Sequence, residues 1–374
     1  MNRFILLIAS FIFIFSCTTE KKPEGLNYIF KSGTEGYDTY RIPALAVSKA
    51  GTILAFAEGR RNSKSDTGDI DILLKRSDDN GKTWKNIQVV WDDEGNTCGN
   101  PAPVVDIETG TIFLFSTWNN GKDPEKNIID ETSIDTRRIF VIKSTDDGLS
   151  WSKPEEITKD VKEANWTWYA TGPCQGIQIR NGQYKGRLLI PCDHIESQTK
   201  KYFSHVIYSD DNGKTWRLGG STPADMVNEC TLAELADGKI MLNMRNYSQS
   251  ERYRKTSVSE DGGITWSALR TDPVLSEPIC QGSLHRYSFS NEGKSRLLFL
   301  NPSDTEKRKN MTLRLSNDDG TSWSWSLVLH PGPAAYSDVI KLADGNIGCF
   351  YEAGAEHPYE GLAFDIISLK QLEK

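Results

Sequence analysis

Eight residues, SDDNGKTW at Ser77–Trp84, return four more times along the chain. The copies are STDDGLSW (Ser144–Trp151), SDDNGKTW (Ser209–Trp216), SEDGGITW (Ser259–Trp266) and SNDDGTSW (Ser316–Trp323). All follow S-x-D-x-G-x-[TS]-W at intervals of 50 to 67 residues. So regular a period means one supersecondary unit repeated, each burying its apolar face against the next. Ser and Asp offer side-chain acceptors to the N–H groups of a tight turn, and Gly permits a positive φ. Trp is a large apolar plug beside the turn. D-x-[DN]-x-G also opens a calcium loop, but no bidentate Glu follows at the required distance and no helices flank it. The structural turn is the stronger reading.

A chain of 374 residues has room for two or three domains, yet a repeat running from end to end argues for one. The formal charge of −7 speaks against nucleic acid as a partner. Arg3, the apolar run Phe4–Phe15 and then Ser16-Cys17 read as a signal peptide over residues 1–16, too short to stay as a membrane span. Cys17 stands where an exported lipoprotein carries its lipid, and residues 17–25 read as a polar tether. Phe15 is bulkier than the usual residue two before that cysteine, so cleavage without lipid is the alternative. The expectation is an exported monomer, periplasmic or at the outer membrane or cell surface, touching a membrane only through that lipid. The other cysteines are scattered without a C-x-x-C pair, which excludes the common zinc pattern and favours buried free thiols.

Between the boxes the chain repeats four β-rich runs joined by Gly/Asn/Asp turns. In the first module these are Ile42–Val47, Thr52–Ala57, Asp71–Arg76 and Ile87–Trp91. Later modules begin at Ala102, near Gly176, at Cys230, at Gly282 and at Tyr336. The sixth ends after three runs, and one apolar run, Leu26–Phe30, is left over before the first. Adding that run to the last sheet removes an open edge. The expected fold is all-β: a six-bladed β-propeller of four-stranded antiparallel blades over residues 26–374, closed by the N-terminal strand.

Strand order sorts the loops by face. Every box joins a third strand to a fourth, so the boxes share one face. Arg41, Asp66, Glu229, Arg245, Arg308, Tyr336 and Glu352 fall at the starts of first strands, the ends of second strands or the loops between second and third. They therefore converge on the opposite face. Three arginines suit a carboxylate ligand held by bidentate forks. A carboxylic acid can protonate a leaving oxygen, and a tyrosine beside a glutamate can attack. Taken singly, each is as readily a solvated loop charge or an ion pair between blades.

With Tyr40-Arg41-Ile42-Pro43 added to the boxes, the chain resembles the exo-α-sialidases (neuraminidases) of the bacterial and animal type, from about Leu26 to Leu369. The resemblance implies Arg41, Arg245 and Arg308 as the grip on a sialic acid carboxylate and Asp66 as acid/base. It implies Tyr336 as nucleophile activated by Glu229, and Glu352 as the group orienting Arg41. Asp69 and Asp71 rival Asp66 by proximity, although Asp71 enters a strand. Arg60 and Asn100 fall where relatives contact the sugar's substituents at carbons 4 and 5, and Trp118 where a wall of the N-acetyl pocket would stand. Trp166, Trp168 and Tyr169 are either lining or packing aromatics. The implied activity is that of a retaining glycoside hydrolase needing no metal or cofactor, acting on sialylated oligosaccharides, glycoproteins or glycolipids. A trans-sialidase using the same site, intramolecular or intermolecular, and a non-catalytic glycan-binding propeller are the alternatives.

Overall fold

The computed structural model describes residues 25–374. The expected signal peptide and Cys17 lie outside the described residues. Runs of alternating and β-branched residues broken by Gly, Asn and Asp form strands almost throughout. The first are β1 (Tyr28–Lys31), β2 (Thr39–Val47), β3 (Ile53–Arg60), β4 (Ile70–Ser77) and β5 (Gln88–Trp91). Next come β6 (Thr97–Val105), β7 (Ile112–Asn119), the helix α1 (Glu125–Ile129), β8 (Arg138–Ser144), β9 (Glu155–Glu156) and α2 (Thr158–Val161). Then follow β10 (Trp166–Thr171), β11 (Ile177–Gln178), β12 (Leu188–Glu196), β13 (Tyr202–Ser209) and β14 (Arg217–Ser221). After these are β15 (Val227–Glu234), β16 (Ile240–Asn246), β17 (Tyr253–Ser259) and β18 (Arg270–Ser276). The chain ends with β19 (Ser283–Ser288), β20 (Arg296–Pro302), β21 (Lys309–Ser316), β22 (Trp325–Lys341), β23 (Ile347–Ala353), β24 (Gly361–Ile367) and α3 (Leu369–Leu372).

The fold is all-β, built of antiparallel sheets in the manner of a β-propeller. β15 to β18 form one four-stranded sheet in chain order, and β10, β12, β13 and β14 another, with β11 also on β12. β2 to β5 and β6 to β9 are antiparallel sets tied by a parallel bridge between Ile70 and Thr97. The 17-residue β22 runs from one set into the next: its first half pairs with β21 and its second with β23. β1 adds to the outer edge of β24.

Two strand positions differ from the sequence reading. The third module's first strand is β10 rather than a run from Gly176, because Gly172-Pro173 interrupts it and proline has no N–H for a ladder. Tyr336, expected to open a strand, lies within β22.

The boxes are closed hydrogen-bonded turns. In the first, Ser77 Oγ accepts from Gly81 N at 2.9 Å and donates to Asp79 Oδ1 at 2.8 Å. Asp79 also accepts from Thr83 N and Thr83 Oγ1, at 2.9 and 2.7 Å. With its oxygens occupied this way, the aspartate serves the turn. The residue before each box glycine has positive φ too: Asn80 at 60°, Asp147 at 66°, Asn212 at 58°, Gly262 at 67° and Asp319 at 56°. These are the residue types that tolerate the left-handed region. The box tryptophans reach into neighbouring sheets. Trp151 meets Phe56 edge-on at 5.7 Å, Trp216 meets Phe115 at 4.5 Å, and Trp84 meets Phe364 at 5.0 Å across the two ends of the chain. The cysteines from Cys98 to Cys349 are all buried, and Cys98, Cys174, Cys192, Cys230 and Cys280 are free thiols.

Candidate active site

Register separates the two faces. Ser77, which opens a box, pairs with Ile53, which also pairs with Val47. At the other end of the same strands Arg60 pairs with Ile70 and Thr39, beside Arg41. The predicted site residues therefore stand at the strand ends away from the boxes.

One device recurs at that end. Between Arg41 and Ala44, Gly99 and Ala102, Trp166 and Tyr169, Val227 and Cys230, and Ala334 and Ser337, the first strand spends one residue more than its partner. An extra residue in a strand breaks pairing locally and re-aims a side chain. Each bulge supplies a wall of one pocket: Ile42, Asn100, Trp168, Glu229 and Tyr336. Ile42 has φ of 58°, a strained setting for a β-branched residue that costs about 1–3 kcal/mol. Its N–H is held by Glu352 Oε1 at 3.0 Å.

The pocket, about 220 Å³, is lined by Arg41, Arg60, Asp66, Asn100, Glu229, Arg245, Arg308 and Tyr336. Glu352 lies behind the wall, fully buried, and Arg41 is the arginine it binds. It accepts from Arg41 Nε at 3.0 Å and from the Tyr336 N–H at 3.1 Å. One carboxylate thus fixes both the guanidinium and the backbone that carries the tyrosine. Glu58 plays the same part next door, accepting from Arg60 Nη2 at 2.6 Å and from Asn100 N at 2.8 Å.

Tyr336 Oη donates to Glu229 Oε1 at 2.5 Å, while Arg245 Nη1 reaches Glu229 Oε2 at 2.6 Å and Tyr336 Oη at 3.1 Å. Burial, then the Glu229 charge, push the phenol well above its ordinary pKa, against the pull of Arg245 and Arg308. The tyrosine is neutral at rest, with its proton already directed at a carboxylate. Arg308 donates to Tyr359 Oη at 3.1 Å and to the Ile279 carbonyl at 3.2 Å.

Asp66 sits on the loop between β3 and β4. Its Oδ1 is 3.0 Å from Arg41 Nη1 and 2.7 Å from Arg60 Nη2, yet its side chain is 68% exposed. Burial pushes its pKa up, but Arg60 and Arg41 outweigh that and hold it below the ordinary range. Asp71 is buried in β4 under Tyr37 Oη and Arg61, and Asp69 pairs with Arg61. Neither lines the pocket.

Trp118 does not form the expected wall. Its indole N–H donates to Asp93 at 2.6 Å and Arg138 stacks on its ring at 5.0 Å, which turns it away from the pocket. Arg137 and Trp168, stacked at 3.9 Å, stand in the wall instead. Trp166 and Tyr169 pack against His205 at 4.8 and 4.9 Å, as core. Sequence reasoning missed Glu58, Arg137 and Asp193, which also line the pocket. Asp193 is buried with neither carboxyl oxygen hydrogen-bonded to the described residues, and burial followed by the Glu229 charge drives its pKa well up. It is a neutral acid, because an unpaired buried carboxylate is too costly. A charge inside an apolar strand, as in LLIPCDHIE and ILAFAEGR, was the available signal. Among the described residues, no group of three or more His, Cys, Asp or Glu side chains could hold a metal ion.

Comparison with known proteins bears on this arrangement. A family described as a BNR repeat-like domain matches residues 51–349. A sialidase of Micromonospora viridifaciens is 36% identical over 336 residues, covering 86% of this chain and 51% of that protein. Sialidase-2 of Mus musculus is 32% identical over 366 residues, covering 90% of this chain and 94% of that one. The chain thus spans about half the length of the first relative and nearly all of the second. Among solved structures, a Hadza microbial sialidase superposes with a TM-score of 0.82 at 30% identity, over 92% of this chain and 68% of the other.

Proposed function

The chain belongs to the sialidase family, and on that premise we propose that it hydrolyses terminal α-linked sialic acids from glycoconjugates, with retention, through a sialyl–Tyr336 intermediate. The observation that carries this reading is the short Tyr336–Glu229 hydrogen bond, set between Arg245 and the Arg41–Asp66 pair. Six four-stranded blades, closed by β1 on β24, are the form of propeller that this reading adopts. It is supported by the β1–β24 ladder and the Trp84–Phe364 contact.

In the empty site Arg41 spends Nε on Glu352 and Nη1 on Asp66. A substrate carboxylate gripped by Arg41, Arg245 and Arg308 takes over the Nη1 corner by exchanging one carboxylate for another. Asp66, released from Arg41 but still beside Arg60, regains affinity for a proton and gives it to the departing glycosidic oxygen. As the bond from the anomeric carbon to that oxygen breaks, Tyr336 Oη bonds to the carbon and its proton passes to Glu229. In the second half, Asp66 takes a proton from water, the water oxygen bonds to the anomeric carbon, and Tyr336 leaves with the proton from Glu229. Two inversions give net retention. A phenol suits a carbon that already bears a carboxylate, because an anionic nucleophile would be repelled there. Sialidases with a tyrosine nucleophile stand outside the two-carboxylate rule for this reaction class.

Export with a lipid on Cys17, and a monomeric state, belong to the same proposal. The direct test of the activity is turnover of a fluorogenic aryl sialoside. Tyr336→Phe is expected to lower kcat by about 100-fold or more with unchanged circular dichroism. Near-normal turnover in that variant would remove the tyrosine from the chemistry, and none in the native protein would remove the reading altogether.

A further inference from the structure

A second cavity, of about 260 Å³, opens at the other end of the strands that carry the site. Its walls come from the box-ward ends of β2, β6, β11, β15, β19 and β22. Val47, Val105, Ile177 and Ile340 give it an aliphatic interior. Buried polar groups close it off from the first pocket. Gln175 Nε2 donates to Asp338 Oδ1 at 3.1 Å and to the Val339 carbonyl at 2.6 Å, while Asp338 Oδ2 accepts from Leu45 N at 2.8 Å.

The polar groups that face this cavity are unequally matched. Glu234 spends both oxygens on the N–H groups of Arg180 and Asn181, at 2.7 and 2.9 Å. Arg180 pairs with Glu292 at 2.6 Å, and Arg286 with Asp319 at 2.5 Å. Lys341 stands over the Tyr287 ring at 4.9 Å, with no hydrogen bond or ion pair recorded among the described residues. His285 Nδ1 lies 3.1 Å from Gln175 Oε1. The Gln175 amide nitrogen already donates elsewhere, so its oxygen accepts here and His285 carries its proton on Nδ1. Burial, then Lys341, hold that imidazole down to about 3, so it is neutral at working pH. With Glu292 and Asp319 counted beside the two arginines they pair with, three cations stand against three carboxylates, and Lys341 is the cation left outside an ion pair among the described residues. A concave apolar wall with a few convergent polar groups is the usual form of a small-molecule site, and the volume lies near the small end of the common range, about 300–1,000 Å³.

We propose that this cavity binds a small amphipathic carboxylate, its apolar body against the aliphatic walls and its carboxylate on the Lys341 ammonium. The ligand class follows from charge complementarity: the Lys341 ammonium, outside any ion pair among the described residues, selects an anion, and the aliphatic walls select one with an apolar body. The site is separate from the sialoside pocket and independent of the activity assigned to it.

Octanoate is the probe, titrated by calorimetry into the native protein and into Lys341→Gln, with n-octanol as the uncharged control. Expected is saturable one-to-one binding of octanoate that weakens about 10-fold or more in Lys341→Gln, as loss of a charge-assisted hydrogen bond implies, with octanol indifferent to the change. Val47→Trp, which fills the cavity, is expected to abolish binding of both. Absence of saturable octanoate binding overturns the proposal, as does equal affinity in Lys341→Gln. Competition by 2-deoxy-2,3-dehydro-N-acetylneuraminic acid overturns it as well, since that would put octanoate among the arginines of the first pocket.

Discussion

Asp66 and Tyr336 begin from opposite electrostatic positions in the empty site. Asp66 is held ionised by two guanidiniums, and Tyr336 is held neutral by burial. On the proposed mechanism neither is in the state that chemistry requires, and one event, the arrival of an anion on the arginines, corrects the first. The sign of the pH dependence follows. In the free enzyme Asp66 has a lowered pKa, so it loses its proton at lower pH, and the alkaline limb of kcat/KM lies low. With substrate bound, Arg41 is neutralised by the substrate carboxylate, the pKa of Asp66 rises, and the alkaline limb of kcat moves to higher pH. Steady-state profiles on sialyllactose, whose poor leaving group needs the acid, are expected to show that separation; coincident limbs would mean that Asp66 is not relieved on binding.

At the scale of elements, boxes and bulges divide the labour. The boxes were legible because a Ser, an Asp, a Gly and a Trp each leave a residue-type signature of a local hydrogen-bonded turn. The bulges were not, since one extra residue in a strand needs no special side chain; Asn228-Glu229 and Ala335-Tyr336 look like ordinary strand entries. For that reason the faces could be assigned from strand order, while Trp118, placed by the family resemblance, turned out to point elsewhere: an aromatic on a strand end does not announce which way it turns. Asp193 and Glu58 were overlooked as interruptions of apolar runs. If boxes serve folding alone, Trp216→Ala, which removes a buried plug between two sheets, is expected to cost about 3–5 kcal/mol in denaturant unfolding. At a temperature where the variant is folded, its kcat/KM should match the native value. A stable variant with crippled turnover would place the boxes in the catalytic machinery.

For the whole molecule, the all-β class and the repeat were readable because period and turn chemistry agree from module to module. The leftover run at Leu26–Phe30 was recognised by counting, and in the structure β1 lies on β24. Phe30, fully buried, packs on Tyr40 at 5.3 Å and Phe350 at 6.1 Å, so it joins the first and last parts of the chain. Phe30→Ala is expected to cost about 3–5 kcal/mol, as a central core position would; a loss under about 1 kcal/mol would make β1 a loose appendage. What unites these scales is a set of antiparallel sheets whose strand ends hold Tyr336 against Glu229. The most direct test of that arrangement is proton NMR of the sugar released in the first minutes of sialoside cleavage. Double displacement through Tyr336 predicts the α-anomer first, followed by its slow conversion to the β-anomer. Appearance of the β-anomer first would mean a single displacement by water and would contradict the account.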